Sequence, residues 1–70
     1  MPRYYFHIKR GRMTVLDHHG VELPDLTDAE REAMWRAQEI VLRERLNAVP
    51  QGTGVIVIAD HWQTVMEVPF

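Results

Sequence analysis

The residues of this chain with the types to do chemistry are few, and most fall before position 26. Asp17, His18 and His19 stand in succession, with His7, Glu22, Asp25 and His61 elsewhere. Imidazole and carboxylate together make a ligand set for a transition metal. Two adjacent histidines point apart, however, and seldom hold one ion unless distant residues join them. Neither an HExxH nor a CxxC-type spacing is present. A polar loop in which Asp17 bridges local amides accounts for the same residues. A metal-dependent activity at this loop is therefore the third reading, and no metal or cofactor is expected.

His7 is no better placed as a catalytic base. A base needs a nucleophile to activate, and neither a Ser–His–Asp set nor a pair of carboxylates is recognisable. Gly52 and Gly54 precede a strand pattern rather than a helix, so they do not form a phosphate cradle. No catalytic residue is expected, and the chain reads as a non-enzyme.

Stacking is a different kind of chemistry. Tyr5 and His7 alternate with Arg3 and Lys9 in one file, and such a file could stack bases and contact phosphates. Arg10 and Arg12 extend the basic cluster, and residues 1–12 hold no acid. Against this, the chain has 8 basic and 10 acidic residues and a net charge of −2. A phosphate-binding surface usually concentrates more Lys and Arg than this. Weak nucleic-acid binding is the second reading, with Arg3, Tyr5, Lys9, Arg10 and Arg12 as its contacts.

The elements that would hold these side chains are organised around residues 27–48, which read as one helix. Thr27 and Glu30 have the spacing of a capping box. Asp28, Glu30 and Glu32 suit the positive end of the helix dipole, and Arg43 and Arg45 the negative end. Pro50 and Gly52 close the run. At about 100° per residue the helix has three faces. Ala29, Ala33, Ala37, Ile40 and Val41 form the face for the core, with Met34 at its margin. Glu32, Arg36, Glu39 and Arg43 form two i,i+4 ion pairs on a solvated face. Trp35, Leu42 and Leu46, with Val49 beyond, lie nearly opposite the alanines.

Residues 3–9 alternate with a period of two, Tyr4, Phe6 and Ile8 on one side. Arg10 and Gly11 suit a hairpin turn into a short strand at 13–16, followed by a polar loop to the helix. Residues 55–59, VIVIA, read as a strand covered on both faces. A turn at 60–63 leads to a last strand at 64–68. The fold class is α+β, a single ββαββ domain over 1–70. One helix lies across a four-stranded, mainly antiparallel sheet. Strand order 2-1-4-3 is favoured and 2-1-3-4 is the alternative. Tyr4, Phe6, Ile8, Met66 and Val68 would meet the alanines.

PRYYFH at the start, DxxGxELPD in the middle (Asp17, Gly20, Glu22, Leu23, Pro24, Asp25) and VPF at the end stand in this order over nearly the whole chain. In these motifs the chain resembles a bacterial family of short domains, near 70 to 80 residues, named only as a domain of unknown function. The resemblance implies one compact domain in a bacterial cytoplasm, with small apolar residues along the helix. It carries over no catalytic residue and no ligand. Trp35 and Leu42 are less typical of the family.

Seventy residues bury only about 60% of the surface that the unfolded chain exposes. The chain has no cysteine, so no disulfide can supplement the core, and thiol chemistry is excluded. Absence of cysteine suits a reducing compartment. No apolar run reaches the ~20 residues of a membrane span, and the N-terminus lacks a signal peptide's apolar stretch. A cytoplasmic protein with no membrane partner is expected.

Two apolar surfaces remain in excess of what one helix on one sheet can hide. One is the Trp35, Leu42 and Leu46 stripe; the other is the outer sheet face with Tyr5, His7, Val65 and half of VIVIA. Covering about 600 Å² of such surface would contribute on the order of 15 kcal/mol before the cost of association. VIVIA at a sheet edge would add a route to pairing between chains. A homo-oligomer, most simply a dimer, or a protein partner is the leading expectation, with Trp35, Leu42, Leu46, Tyr5 and His7 at the interface. Coverage of Trp35 by the Val21–Pro24 loop is the competing account for that residue.

Overall fold

The computed structural model describes residues 1–47 and 53–70. Ala48 at the end of the predicted helix, Val49 beyond the apolar stripe, and the closing Pro50 and Gly52 lie outside them. The elements run β1 (Arg3–Arg10), β2 (Met13–Val15), β3 (Val21–Glu22), α1 (Leu26–Leu46), β4 (Val55–Asp60) and β5 (Gln63–Pro69). The architecture is α+β, one helix on an antiparallel sheet.

The sheet order is β2-β1-β4-β5, with β3 also paired to β1. This corrects the favoured order: β1 and β4 are antiparallel neighbours, and β5 lies at the edge. In the four-strand numbering of the sequence this is 2-1-3-4. The physical reason lies in VIVIA itself. Ile56 and Ile58 face the helix, Val57 and Ala59 face away, and all four are buried. Only a strand with neighbours on both sides and cover on both faces can bury every side chain. VIVIA is therefore central, and edge pairing through it does not arise.

α1 starts one residue earlier than expected, with a different cap. Asp25, in extended conformation, accepts a hydrogen bond from the Asp28 amide at 2.9 Å. The Thr27–Glu30 box does not form the start. Leu26 packs against the core as the first helical residue, which leaves Asp25 at the cap position, two residues before Thr27. At the other end the Asn47 amide returns to the Arg43 carbonyl at 3.1 Å. Ala29, Ala33 and Ala37 are buried against Tyr4, Phe6, Ile56 and Ile58. Ile8, Ile40, Met66 and Val68 pack around them. Small side chains bring the helix axis close to the sheet, and that closeness sets the core.

The exposed strand edges are short or interrupted. β2 has three residues and β3 two. In β5 the register shifts opposite Ile58 and Ala59, which leaves Val65 as an extra residue. Gly54 and Phe70 exchange backbone hydrogen bonds at 2.8 and 3.0 Å. By antiparallel alternation, Pro69 then occupies a position whose missing N–H would point outward. A bulge and a proline on one edge hinder strand addition. Among the described residues, no helix is long and apolar enough to cross a membrane.

Candidate functional site

The loop with the adjacent histidines is a structural clip. Between its pairings with β2 and β3, the β1 edge leaves the Phe6 amide without a strand partner, and the Asp17 carboxylate accepts from it at 3.1 Å. The other Asp17 oxygen accepts from the amides of His19 and Gly20 at 3.0 and 3.1 Å. Burial pushes the Asp17 carboxyl up, but the three amides and the Arg36 charge outweigh it and hold the group below its ordinary value. The Asp17 amide donates to Nδ1 of His7 at 3.0 Å. Gly20 lies tight under β1 at a φ of +69°. A Cβ there would stand 2.8 Å from Cγ of Arg3 and 3.0 Å from the Tyr4 carbonyl.

His18 and His19 are exposed, and His61 sits in the β4–β5 turn. Among the described residues, no three of His, Asp and Glu gather as a metal-binding group. Asp25 is engaged as the helix cap, and Glu22 bonds Arg3 at 3.3 Å.

On the outer sheet face, Tyr5 and His7 stack with ring centres 6.4 Å apart, and Trp62 stacks on the other side of Tyr5 at 5.2 Å. Sequence periodicity missed Trp62 because it lies in a turn. Both turn residues have left-handed backbone, His61 at φ +50° and Trp62 at +65°. That conformation matches the twist of a two-residue hairpin but normally belongs to Asn and Gly. Of the basic candidates, Lys9 and Arg12 are exposed, and Arg3 also donates to the His19 carbonyl at 2.7 Å. Arg10 belongs to the opposite face. It shares the side of Tyr4, Phe6 and Ile8, stands 5.1 Å over the Phe70 ring, and bonds Glu44 through both guanidinium Nη atoms, one of them at 2.8 Å. The hydrogen bond raises the Arg10 pKa and lowers that of Glu44, a consistent pair of signs for a paired charge.

Four of the exposed large apolar side chains, Met34, Trp35, Leu42 and Leu46, lie on α1. The sheet has five strands rather than the expected four, but β2 and β3 share the outer edge of β1. Four strands abreast span roughly 14 Å between outer axes, whereas a helix with its side chains is about 10 Å across. Two flanks are therefore open. On the β5 flank a groove of about 620 Å³ runs beside the helix over Val68 and Phe70, with Met34, Val41 and Leu42 on its helix wall. On the β1 flank Trp35 and Ile40 stand over Ile8. Trp35, Leu42 and Leu46 are 60%, 57% and 77% exposed. The Val21–Pro24 loop does not cover Trp35. Arg36 differs from its expected solvated role: it bonds Glu32 at 2.9 Å and also lies 4.4 Å over the Phe6 ring.

A family model described as Domain of unknown function (DUF6894) matches residues 3–70. The chain belongs to the DUF6894 family. No curated protein and no solved structure matches it. The motifs through which it resembles a family fall on the scaffold of this DUF6894 chain. In the first, Pro2 accepts from the Leu23 amide, and Tyr4 and Phe6 enter the core. In the second, Asp17 and Gly20 form the clip and Asp25 caps α1. In the third, Val68 packs on the core and Phe70 covers Gly54, where a Cβ would come within 2.5 Å of the ring. What these motifs leave unexplained is the helix surface.

Proposed function

We propose that this chain is a non-catalytic association module that works through the helix side of the sheet. The observation that carries this reading is that Met34 and Leu42, each at least half exposed, line an apolar groove, with the exposed Leu46 one turn beyond. Completing the burial of Met34, Leu42 and Leu46 would contribute on the order of 4 kcal/mol before association costs. That is a large addition to the core of a 70-residue chain. A second copy is the simplest occupant, because the interrupted strand edges disfavour growth by strand pairing and leave a closed, face-to-face contact. The absence of cysteine suits action in a reducing cytoplasm. Light scattering at low micromolar concentration tests this reading. The expected mass is about twice the 8.2 kDa of one chain. A monodisperse single-chain mass up to a few hundred micromolar would contradict it.

A second reading is favoured by Trp62, which extends the Tyr5–His7 pair to three stacked rings. Such a row could receive the bases of a single strand. Retention on single-stranded RNA at low salt, lost with Tyr5→Ala or Trp62→Ala, is its expected signature. Absence of retention at low salt disposes of it.

A further inference from the structure

We infer that the occupant of the β5-flank groove is the helix of a second copy, lying antiparallel to α1 about a two-fold axis between Ala37 and Gln38. This rests on the self-association proposed above and specifies its geometry. The helical residues beside the groove are Glu30, Met34, Ala37, Gln38, Val41, Leu42 and Arg45. Leu42 apart, whose counterpart is the buried Ala33, their order is its own complement when reversed. Glu30 lies as far before the point between Ala37 and Gln38 as Arg45 lies after it, and Met34 and Val41 are placed in the same way. Antiparallel packing about that point therefore sets Glu30 of each copy against Arg45 of the other, and Met34 against Val41. Opposite charges meet at both ends and apolar side chains meet between them. In a parallel pair, by contrast, each group would face its own kind.

Two further features agree with this arrangement. Antiparallel helices oppose their dipoles, which is the favourable orientation for side-by-side packing. Among the described residues, neither Glu30 nor Arg45 is engaged in an ion pair, and the same holds of Glu67 on the strand side of the groove. The charges at the two ends of the groove are thus available to a partner. Val68 and Phe70 form the floor on which Met34 and Val41 of the second copy would rest. Trp35, on the other flank, takes no part.

Charge reversal tests the register. Glu30→Arg alone and Arg45→Glu alone should each weaken self-association about tenfold, because each places like charges together at two symmetric positions. An equimolar mixture of the two variants should recover the affinity of the unmodified chain to within about threefold. In the mixed dimer the reversed residue of one chain faces the reversed residue of the other. Gln38→Cys, in a chain with no other cysteine, should form a disulfide-linked dimer under mild oxidation even at a protein concentration in the low micromolar range. A dimer that ignores both reversals, shows no preference for the mixed pair and fails to cross-link at position 38 overturns this geometry while leaving self-association intact. A chain that stays monomeric in every sample overturns both.

Discussion

The Asp17 carboxylate accepts from the Phe6 amide at 3.1 Å and closes the gap in the β1 edge between β2 and β3. A loop that looks like a ligand set in the sequence is thereby committed to holding the strand. An unsatisfied amide at that depth would cost more than an ordinary hydrogen bond is worth. The carboxylate has also been drawn into three amides at once, which leaves little of it to offer a metal.

Asp17→Asn should lower stability by about 2 kcal/mol, since the amide side chain keeps one acceptor oxygen and loses the charge. Chemical denaturation at pH 7 measures this. The pH dependence has a definite sign. The folded-state value of Asp17 lies below its ordinary 3.8, so its stabilisation is full above that value and is lost as pH falls through the folded one. Glu44 adds to the same limb, beginning below its ordinary 4.5. The unmodified chain should lose stability below pH 4.5, and Asp17→Asn should show a shallower acid decline.

Gly20→Ala should destabilise by about 1–3 kcal/mol. Its φ of +69° disfavours a Cβ, and that Cβ would press on Arg3, Tyr4 and Tyr5. Thermal unfolding reads this out. A melting temperature equal to that of the unmodified chain would show that the loop can move aside.

His61→Asn should stabilise by about 0.5–1 kcal/mol, because Asn tolerates left-handed backbone better than His. His61 is exposed, with only a 3.6 Å approach to Asp60 to lose. Denaturant midpoints decide the sign. A loss of stability would mean that the Asp60 contact outweighs the relief of backbone strain.

Much of this architecture is legible in the residues. The alanine spacing identifies the core face of α1, and the period of two in β1 sends Tyr4 and Phe6 inward. Strand order is less accessible, since hairpin connections are satisfied equally by either neighbour for β1. The unbroken apolar run of VIVIA nonetheless contained the answer, because burial on both faces implies a central strand. Arg10 joins Arg12 in the basic cluster of the sequence, although continuing the β1 alternation places it beside Tyr4, Phe6 and Ile8. It meets Glu44 there. β3 is too short for periodicity to detect. The turn at His61 and Trp62 gives no warning because it lacks the usual Asn or Gly. The exposed stripe of Trp35, Leu42 and Leu46 was visible, but its division between two flanks depends on where the helix crosses the sheet.

Leu42→Glu should weaken self-association at least tenfold, whereas Trp35→Glu should change it less than about threefold, because only Leu42 borders the β5-flank groove. Sedimentation velocity across a concentration series compares the two. Equal effects would move the contact to the crest of the helix.

The most direct measurement is a methyl NMR dilution series from millimolar to low micromolar chain. Signals of Met34, Val41 and Leu42 should shift together along one binding curve while those of Ile56 and Ile58, buried in the core, stay fixed. Spectra that superimpose at every concentration would contradict the account, for the helix surface would then face only water.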